Sequence, residues 1–133
     1  MIFTKSTAYA LQALIELSKS KKPIDVSTLS NLTNLPRPFL AKLLQNLSKK
    51  GIVKSFKGIN GGFLLAKDPK EITITEIFKA LEDKDSFVFY CSSNKEKCTR
   101  DRNDICSLWP FFSKLEGEIS KVLDKYTLFD VIS

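Results

Sequence analysis

PRPFLAKLLQNLSKKGIVKSFKGINGGFLLA, residues 36–66, is the stretch that decides the fold. Its first part places leucines three and four residues apart, the spacing of a helix with one buried face: Leu40, Leu43, Leu44 and Leu47. Pro36 and Pro38 are compatible with this helix because they fall in or before its first turn. Gly51 suits the position that follows a helix. The pattern therefore predicts a helix that ends just before Gly51.

Two short apolar runs follow this helix, at residues 52–56 and 63–66. The connector between them, residues 57–62, contains three glycines, which supply the positive φ angles that a hairpin tip needs. The sequence therefore predicts a two-stranded β-hairpin directly after the helix.

Two further helices are predicted upstream. Residues 4–19 form an amphipathic helix with Thr4 as N-cap, and apolar residues recur near a 3.6-residue period: Ala8, Leu11, Leu14, Ile15 and Leu17. Asp25 begins a short second helix, and residues 33–35 make a tight turn after it. The predicted buried face of that helix consists of Val26, Leu29 and Leu32. Three helices and then a hairpin are the order of a winged helix-turn-helix, so the fold class is mainly α with a small β-hairpin.

The chain beyond the hairpin continues with a capping-box pattern at residues 73–76, which opens a helix through about Leu81. We assign residues 1–82 to the winged helix-turn-helix domain. Residues 83–106 are polar, irregular and cysteine-bearing, and we interpret them as a sensor loop. Residues 107–133 are predicted to form a dimerisation helix and a short terminal helix.

The dimerisation helix is predicted from about residue 107 to 126. Its apolar residues alternate at spacings of four and three: Leu108, Phe112, Leu115, Ile119, Val122 and Tyr126. This 3.5-residue repeat is typical of a helix that pairs with another helix. The alternative is a helix that packs on its own core. Pairing across a two-fold axis is favoured because the winged domain already has a core of its own.

The net charge of +6 over 133 residues is unevenly distributed. Residues 1–70 hold 12 Lys and Arg against 3 Asp and Glu, whereas residues 71–133 hold 9 against 12. A basic first half on a helix-turn-helix frame favours a polyanion such as double-stranded DNA over a merely solvated surface.

The DNA-binding residues are predicted from their places in this fold. The third helix offers side chains that reach base edges in the major groove: Arg37, Ala41, Lys42, Gln45 and Asn46. The hairpin offers charge and close approach to the backbone or the minor groove: Lys54, Lys57, Asn60 and Gly61.

Several function classes are disfavoured. The chain has no histidine, no P-loop and no dinucleotide-binding glycine pattern, so we do not expect an enzyme. No apolar run approaches the roughly 20 residues of a membrane helix, and the N-terminus lacks a signal-peptide pattern. We therefore expect a cytoplasmic protein without a membrane partner. A winged helix that binds a protein instead of DNA is the alternative.

The sequence resembles a known family in three places: residues 1–11, the glycine-rich stretch 51–65 and residues 127–132. It looks like a member of the IscR/NsrR-type family of bacterial winged-helix regulators. The resemblance covers essentially the whole chain, and the glycine-rich hairpin is its most specific part. It implies a homodimer, held by the long C-terminal helix, that binds an imperfect palindrome. It also implies a 2Fe–2S cluster on Cys91, Cys98 and Cys106, because many members carry one there and respond to iron–sulfur, redox or nitric oxide status.

The sequence departs from the family pattern at the fourth cluster ligand. Iron–sulfur clusters take four protein ligands, and three cysteines leave one position open. Some relatives use a histidine three residues after the last cysteine, where this chain has Trp109, and others use an acidic residue at the position of Ala8. Candidates remain among Glu96, Asp101, Asp104 and Glu116, or the partner subunit, and the fourth ligand is unassigned.

Other interpretations of the three cysteines stay open. All lie within 16 consecutive residues, and a structural disulfide is not expected in the cytoplasm. A bare thiol switch is possible because the basic residues Lys97, Arg100 and Arg102 would favour a thiolate. A structural zinc site also needs four ligands and has no CxxC pair here. Cysteines without a function are the remaining alternative.

Overall fold

The helices and strands occur in the order that the sequence predicts. The computed structural model describes residues 3–82, 87–88 and 107–133. Its elements are α1 (Lys5–Ser18), α2 (Val26–Thr33), α3 (Arg37–Lys49), β1 (Val53–Phe56), β2 (Gly62–Leu65), a 3-10 turn (Pro69–Glu71), α4 (Ile74–Glu82), α5 (Trp109–Asp124) and α6 (Leu128–Ile132). The mainly helical class with a small hairpin is confirmed, although the bounds shift by one or two residues and the 3-10 turn was not predicted.

The core lies between α1, α2 and α3, and residues of α4 and α6 complete it. Thr4 caps α1, and its hydroxyl oxygen accepts a hydrogen bond from the Thr7 N–H at 3.4 Å. Fully buried side chains from the three helices meet there: Ala13, Leu14, Leu17, Leu29, Leu40, Leu44 and Leu47. The prediction that Ala8 and Leu32 belong to the buried helix faces was wrong. Ala8 is exposed, and 54% of Leu32 is exposed.

The turns at the two ends of α3 fix its position. Asn34 closes α2 in the left-handed conformation at φ 60°, and Pro36 is the N-cap of α3. At the other end Gly51 has φ 77°, and the Ile52 N–H donates to the Leu47 carbonyl at 3.0 Å. This is a Schellman C-cap, which explains why a glycine follows the helix.

The wing consists of residues 53–65. Strands β1 and β2 are antiparallel, with Val53 opposite Leu65 and Phe56 opposite Gly62. Ile24 extends the sheet, because its N–H and carbonyl exchange hydrogen bonds with Phe63 at 2.9 and 2.8 Å. This pairing attaches β2 to the segment before α2.

Helix α4 begins at the predicted capping pattern. The Thr73 hydroxyl oxygen accepts a hydrogen bond from the Glu76 N–H at 3.1 Å. The Glu76 side chain, however, pairs with the Lys67 ammonium at 3.1 Å. The Thr73 half of the predicted capping box is therefore confirmed. Helix α4 packs against α1, α3 and α5.

A C-terminal junction, residues 72–74 and 126–128, joins the end of α5 to the start of α4. The Ile74 N–H donates to the Tyr126 carbonyl at 3.0 Å, and the Leu128 N–H donates to the Ile72 carbonyl at 2.8 Å. Leu128 is fully buried in the core. The junction therefore attaches α5 to the winged domain. Within the described part of the chain, no helix combines the length and apolarity needed to cross a bilayer.

Candidate functional site

One face of α3 is polar and open to solvent. The side chains of Arg37, Lys42 and Gln45 are exposed, and those of Ala41 and Asn46 are half-buried. The spacings of four residues between 37, 41 and 45, and between 42 and 46, place them on neighbouring rows of one helix surface. The leucines of the opposite face are buried. The predicted base-contacting residues of α3 therefore lie together on a free surface.

Three lysines of α3 and the wing have no ion-pair partner among the described residues. Among the described residues, no carboxylate lies within 4.0 Å of the ammonium groups of Lys42, Lys54 or Lys57. The first turn of α3 also contains no acidic residue. These cations are thus available to an external anion.

The carboxylate of Asp25 interacts with the positive charge of Arg37. The Thr28 side chain and the Thr28 N–H, which is 3.1 Å from Oδ1, donate hydrogen bonds that lower the pKa of Asp25, and the Arg37 charge adds to the effect. Asp25 therefore stays ionised at neutral pH, where it caps α2.

The tip of the wing is a tight turn. The Gly61 N–H donates to the Gly58 carbonyl at 3.0 Å, which leaves Ile59 and Asn60 at the two central positions. A Cβ atom on Gly61 would lie 2.3 Å from the Phe56 carbonyl oxygen, so the turn requires glycine there. Asn60 and Gly61, two of the predicted DNA-binding residues, are in this turn. Asn60 is exposed and Gly61 is half-buried. Ile59, which directly precedes Asn60 in the chain, was not among the predicted DNA-binding residues. Its side chain is fully exposed.

The three cysteines lie outside the described residues, because Cys91, Cys98 and Cys106 all fall within 89–106. The acidic candidates Glu96, Asp101 and Asp104 fall in the same range. Within the residues that the structure does describe, no three His, Cys, Asp or Glu side chains come together as a metal site.

Glu116, the fourth acidic candidate, has a different environment. Its side chain is on α5 and only 7% of the residue is exposed. The Phe87 N–H donates to both carboxylate oxygens at 2.8 Å, and the Val88 N–H donates to Oε1 at 3.0 Å. The Phe87 ring packs on Phe78 of α4, with centroids 4.5 Å apart. Glu116 thus fixes the chain at 87–88, and sequence reasoning had assigned it only a possible ligand role.

The predicted pairing stripe of α5 divides into two parts. Leu108, Leu115, Val122 and Tyr126 are exposed, and we call these four residues the outward face of α5. The other two members, Phe112 and Ile119, are half-buried, on the side where Leu123 packs against the core. An exposed apolar face of this kind is typical of a helix surface that binds another protein surface.

Comparison with known proteins gives consistent matches. A family profile described as "Rrf2: Iron-dependent Transcriptional regulator" matches residues 3–133. The HTH-type transcriptional regulator NsrR of Bacillus licheniformis is 31% identical over 134 residues, covering 99% of this chain and 92% of NsrR. The structure of T. potens IscR matches with a TM-score of 0.71 at 26% identity, over 98% of this chain and 85% of IscR. CymR, described as the global cysteine regulator of B. subtilis, matches with a TM-score of 0.70 at 28% identity, over 98% and 95%.

Proposed function

The chain belongs to the Rrf2 family of transcriptional regulators, and we propose that it acts as a homodimer that binds an imperfect palindrome in double-stranded DNA. The single observation that supports this most strongly is the exposed polar face of α3, which is followed directly by a basic wing. A two-fold dimer presents two such helices to two half-sites, which accounts for a palindromic target.

Helix α3 enters the major groove in this proposal. Arg37 and Lys42 donate to guanine O6 and N7, while Gln45 and Asn46 pair with adenine. Ala41 is small enough to let the helix approach closely and to contact a thymine methyl group. These roles follow from the position of the five side chains on neighbouring rows of the helix, three of them exposed and two half-buried.

The wing supplies contacts beside the major groove. Lys54 and Lys57 neutralise phosphates, and their lack of an internal carboxylate partner within the described residues leaves both charges free to do so. Asn60 and Gly61 approach the backbone or the minor groove.

The dimer forms through α5. Its outward face leaves four large apolar side chains open in the single chain, with 57% of Leu108 and 51% of Val122 exposed. Pairing with the same face of a second copy removes them from water, which is the main favourable contribution to association. In this organisation residues 1–82 bind DNA, 83–106 sense and 107–133 dimerise.

The cysteine segment is the sensor in this proposal, with a 2Fe–2S cluster held by Cys91, Cys98 and Cys106. The support is the iron dependence in the family description and three thiols within 16 residues. Such a cluster would supply a site that changes with redox state or nitric oxide. Both oxygens of Glu116 already accept backbone hydrogen bonds, so we leave Glu116 out of the ligand set. The fourth ligand then comes from the cysteine segment or the partner subunit.

A bare thiol switch is the second candidate. It is favoured by the donor count, because the chain has three cysteines and no histidine, whereas a cluster needs four ligands. Absorption spectra with iron and zinc analysis of protein purified without oxygen separate the two. Visible absorption with stoichiometric iron supports the cluster; an iron-free sample that resists reconstitution supports the thiol switch.

The salt dependence of DNA binding tests the regulator itself. Duplexes selected from a random library by the full-length protein serve as the probe, and affinity is measured by fluorescence anisotropy at several salt concentrations. We expect log affinity to fall with log salt by about 0.9 per phosphate contact. Lys57→Ala should reduce this slope by about one contact. Lys121→Ala on α5, whose ammonium faces Glu118 at 4.0 Å, is the matched control and should leave it unchanged. Salt-insensitive or absent binding would refute the proposal.

A further inference from the structure

Ile59 stands out among the apolar side chains of the wing. It is fully exposed at the centre of the tip turn, whereas the neighbouring apolar residue Phe56 is 44% exposed. A large aliphatic side chain in this position gains no burial from the fold. A partner that covers it therefore gains the whole benefit of removing it from water.

The turn holds Ile59 in a fixed place. The Gly61 N–H bond to the Gly58 carbonyl closes the turn, and Gly61 has no room for a side chain. At the tip end of β2, a Cβ on Gly62 would lie 2.4 Å from the backbone of Ile24, so the hairpin packs directly on that segment. A tip that is already ordered loses little conformational entropy when it binds.

The charge around Ile59 identifies the class of partner. Residues 53–65 contain two lysines and no acidic residue, and the surface pocket that Ile59 borders also carries one cation, Lys22, and one carboxylate, Asp25. An apolar tip on a hairpin whose two lysines have no carboxylate partner among the described residues fits a polyanion with an apolar recess. The minor groove of DNA is such a recess, since it combines flanking phosphates with sugar surfaces, and proteins insert apolar side chains into it.

The geometry points to Ile59 as an apolar minor-groove contact that gives the protein a preference for A·T pairs under the wing. Guanine places an N2 amino group on the floor of the minor groove, and A·T pairs do not. An isoleucine against that amino group would bury the N–H that is not paired with cytosine and leave it without a hydrogen-bond partner, which is unfavourable. Asn60, the next residue, can donate to adenine N3 or thymine O2 at the same step. This assignment rests on the proposed DNA binding and adds a specificity determinant to it.

The experiment compares Ile59→Ala with the wild type on three versions of a selected duplex. Hydroxyl-radical footprinting first locates the base pairs that the wing protects. Those pairs are then A·T, G·C or inosine·cytosine, which lacks the N2 amino group but resembles G·C in the major groove. We expect the wild type to bind the A·T and inosine·cytosine duplexes alike and the G·C duplex about tenfold more weakly, which corresponds to about 1.4 kcal/mol.

Ile59→Ala should lose most of this discrimination, and Ile59→Val should keep it. Because the contact is apolar, Ile59→Ala should leave the salt slope unchanged, whereas Lys57→Ala lowers it. If Ile59→Ala binds all three duplexes as the wild type does, or loses affinity equally on all three, the minor-groove assignment is wrong. That result differs from failure of the proposed function, in which the wild type itself binds no duplex in a salt-dependent manner.

Discussion

Replacing Glu116 by glutamine removes the charge from a buried carboxylate that two backbone N–H groups share. The Phe87 and Val88 N–H groups lie 2.8 to 3.0 Å from its oxygens. A hydrogen bond to a charged group contributes about 1.5–3 kcal/mol, against about 0.5–1.5 kcal/mol for a neutral one. If the amide oxygen accepts from both groups, the loss is about 2 kcal/mol. If the amide NH₂ faces the Phe87 N–H, one buried donor is unsatisfied and the loss approaches about 4 kcal/mol.

Urea unfolding at one fixed protein concentration measures this loss, because the stability of a dimer depends on concentration. Glu118→Gln is the matched control, since this carboxylate is two residues along α5, exposed, and 4.0 Å from Lys121. Its loss should be about 0–1 kcal/mol. Hydrogen exchange at the Phe87 and Val88 amides should accelerate in Glu116→Gln only. Glu116→Asp, which keeps the charge, should unfold at a urea concentration between those of Glu116→Gln and the wild type. Equal stability of Glu116→Gln and Glu118→Gln with unchanged exchange would refute the reasoning.

Three further predictions concern the interface, the wing and the α2 cap. Val122→Asp places a charge in the outward face of α5 and should yield monomers in light scattering; a dimer that survives would place the interface elsewhere. Gly62→Ala should lower the thermal midpoint, because Gly62 has φ 142° and no space for a Cβ, whereas Gly117→Ala, with open space in α5, should not. Thr28→Val should raise the pKa of Asp25 in an NMR titration, because it removes the largest cause of its lowering. The stabilisation from Asp25 is present above its unfolded pKa near 3.8 and is lost as pH falls through the lower folded value; an unchanged titration in Thr28→Val would contradict this assignment.

The parts of the fold that sequence patterns predicted are those with local causes. The leucine spacing of α3 and the glycine at 51 each act within a few residues, and both were correctly interpreted. The same holds for the glycine-rich hairpin. Leu32 was assigned to the buried face of α2 by the same rule, but α2 has only 8 residues, and its position in the fold leaves Leu32 in solvent.

The features that the sequence did not predict depend on distant partners. Glu116 accepts hydrogen bonds from the Phe87 and Val88 N–H groups, which are 29 and 28 residues away in the chain. No periodic pattern in the sequence indicates such a contact. The pairing of Ile24 with Phe63 likewise crosses two helices. For α5, the 3.5-residue repeat identified the apolar positions but did not distinguish Leu115, which is exposed, from Ile119, which is half-buried.

The C-terminal junction has a consequence for how half-sites are spaced in an operator. Two backbone hydrogen bonds attach the end of α5 to the winged domain, and a helix of 16 residues is about 24 Å long. If two copies pair through α5, a short, stiff connection joins each α3 to the dimer interface instead of a flexible linker. One extra base pair between half-sites turns the second by about 34–36° and moves it about 3.4 Å along the axis. A stiff connection does not allow the second α3 to adjust to that rotation. The two half-sites of every operator for this dimer should therefore be separated by the same number of base pairs, or by a number that differs by whole helical turns. Operators in a genome could then be identified by this spacing as well as by their base sequence.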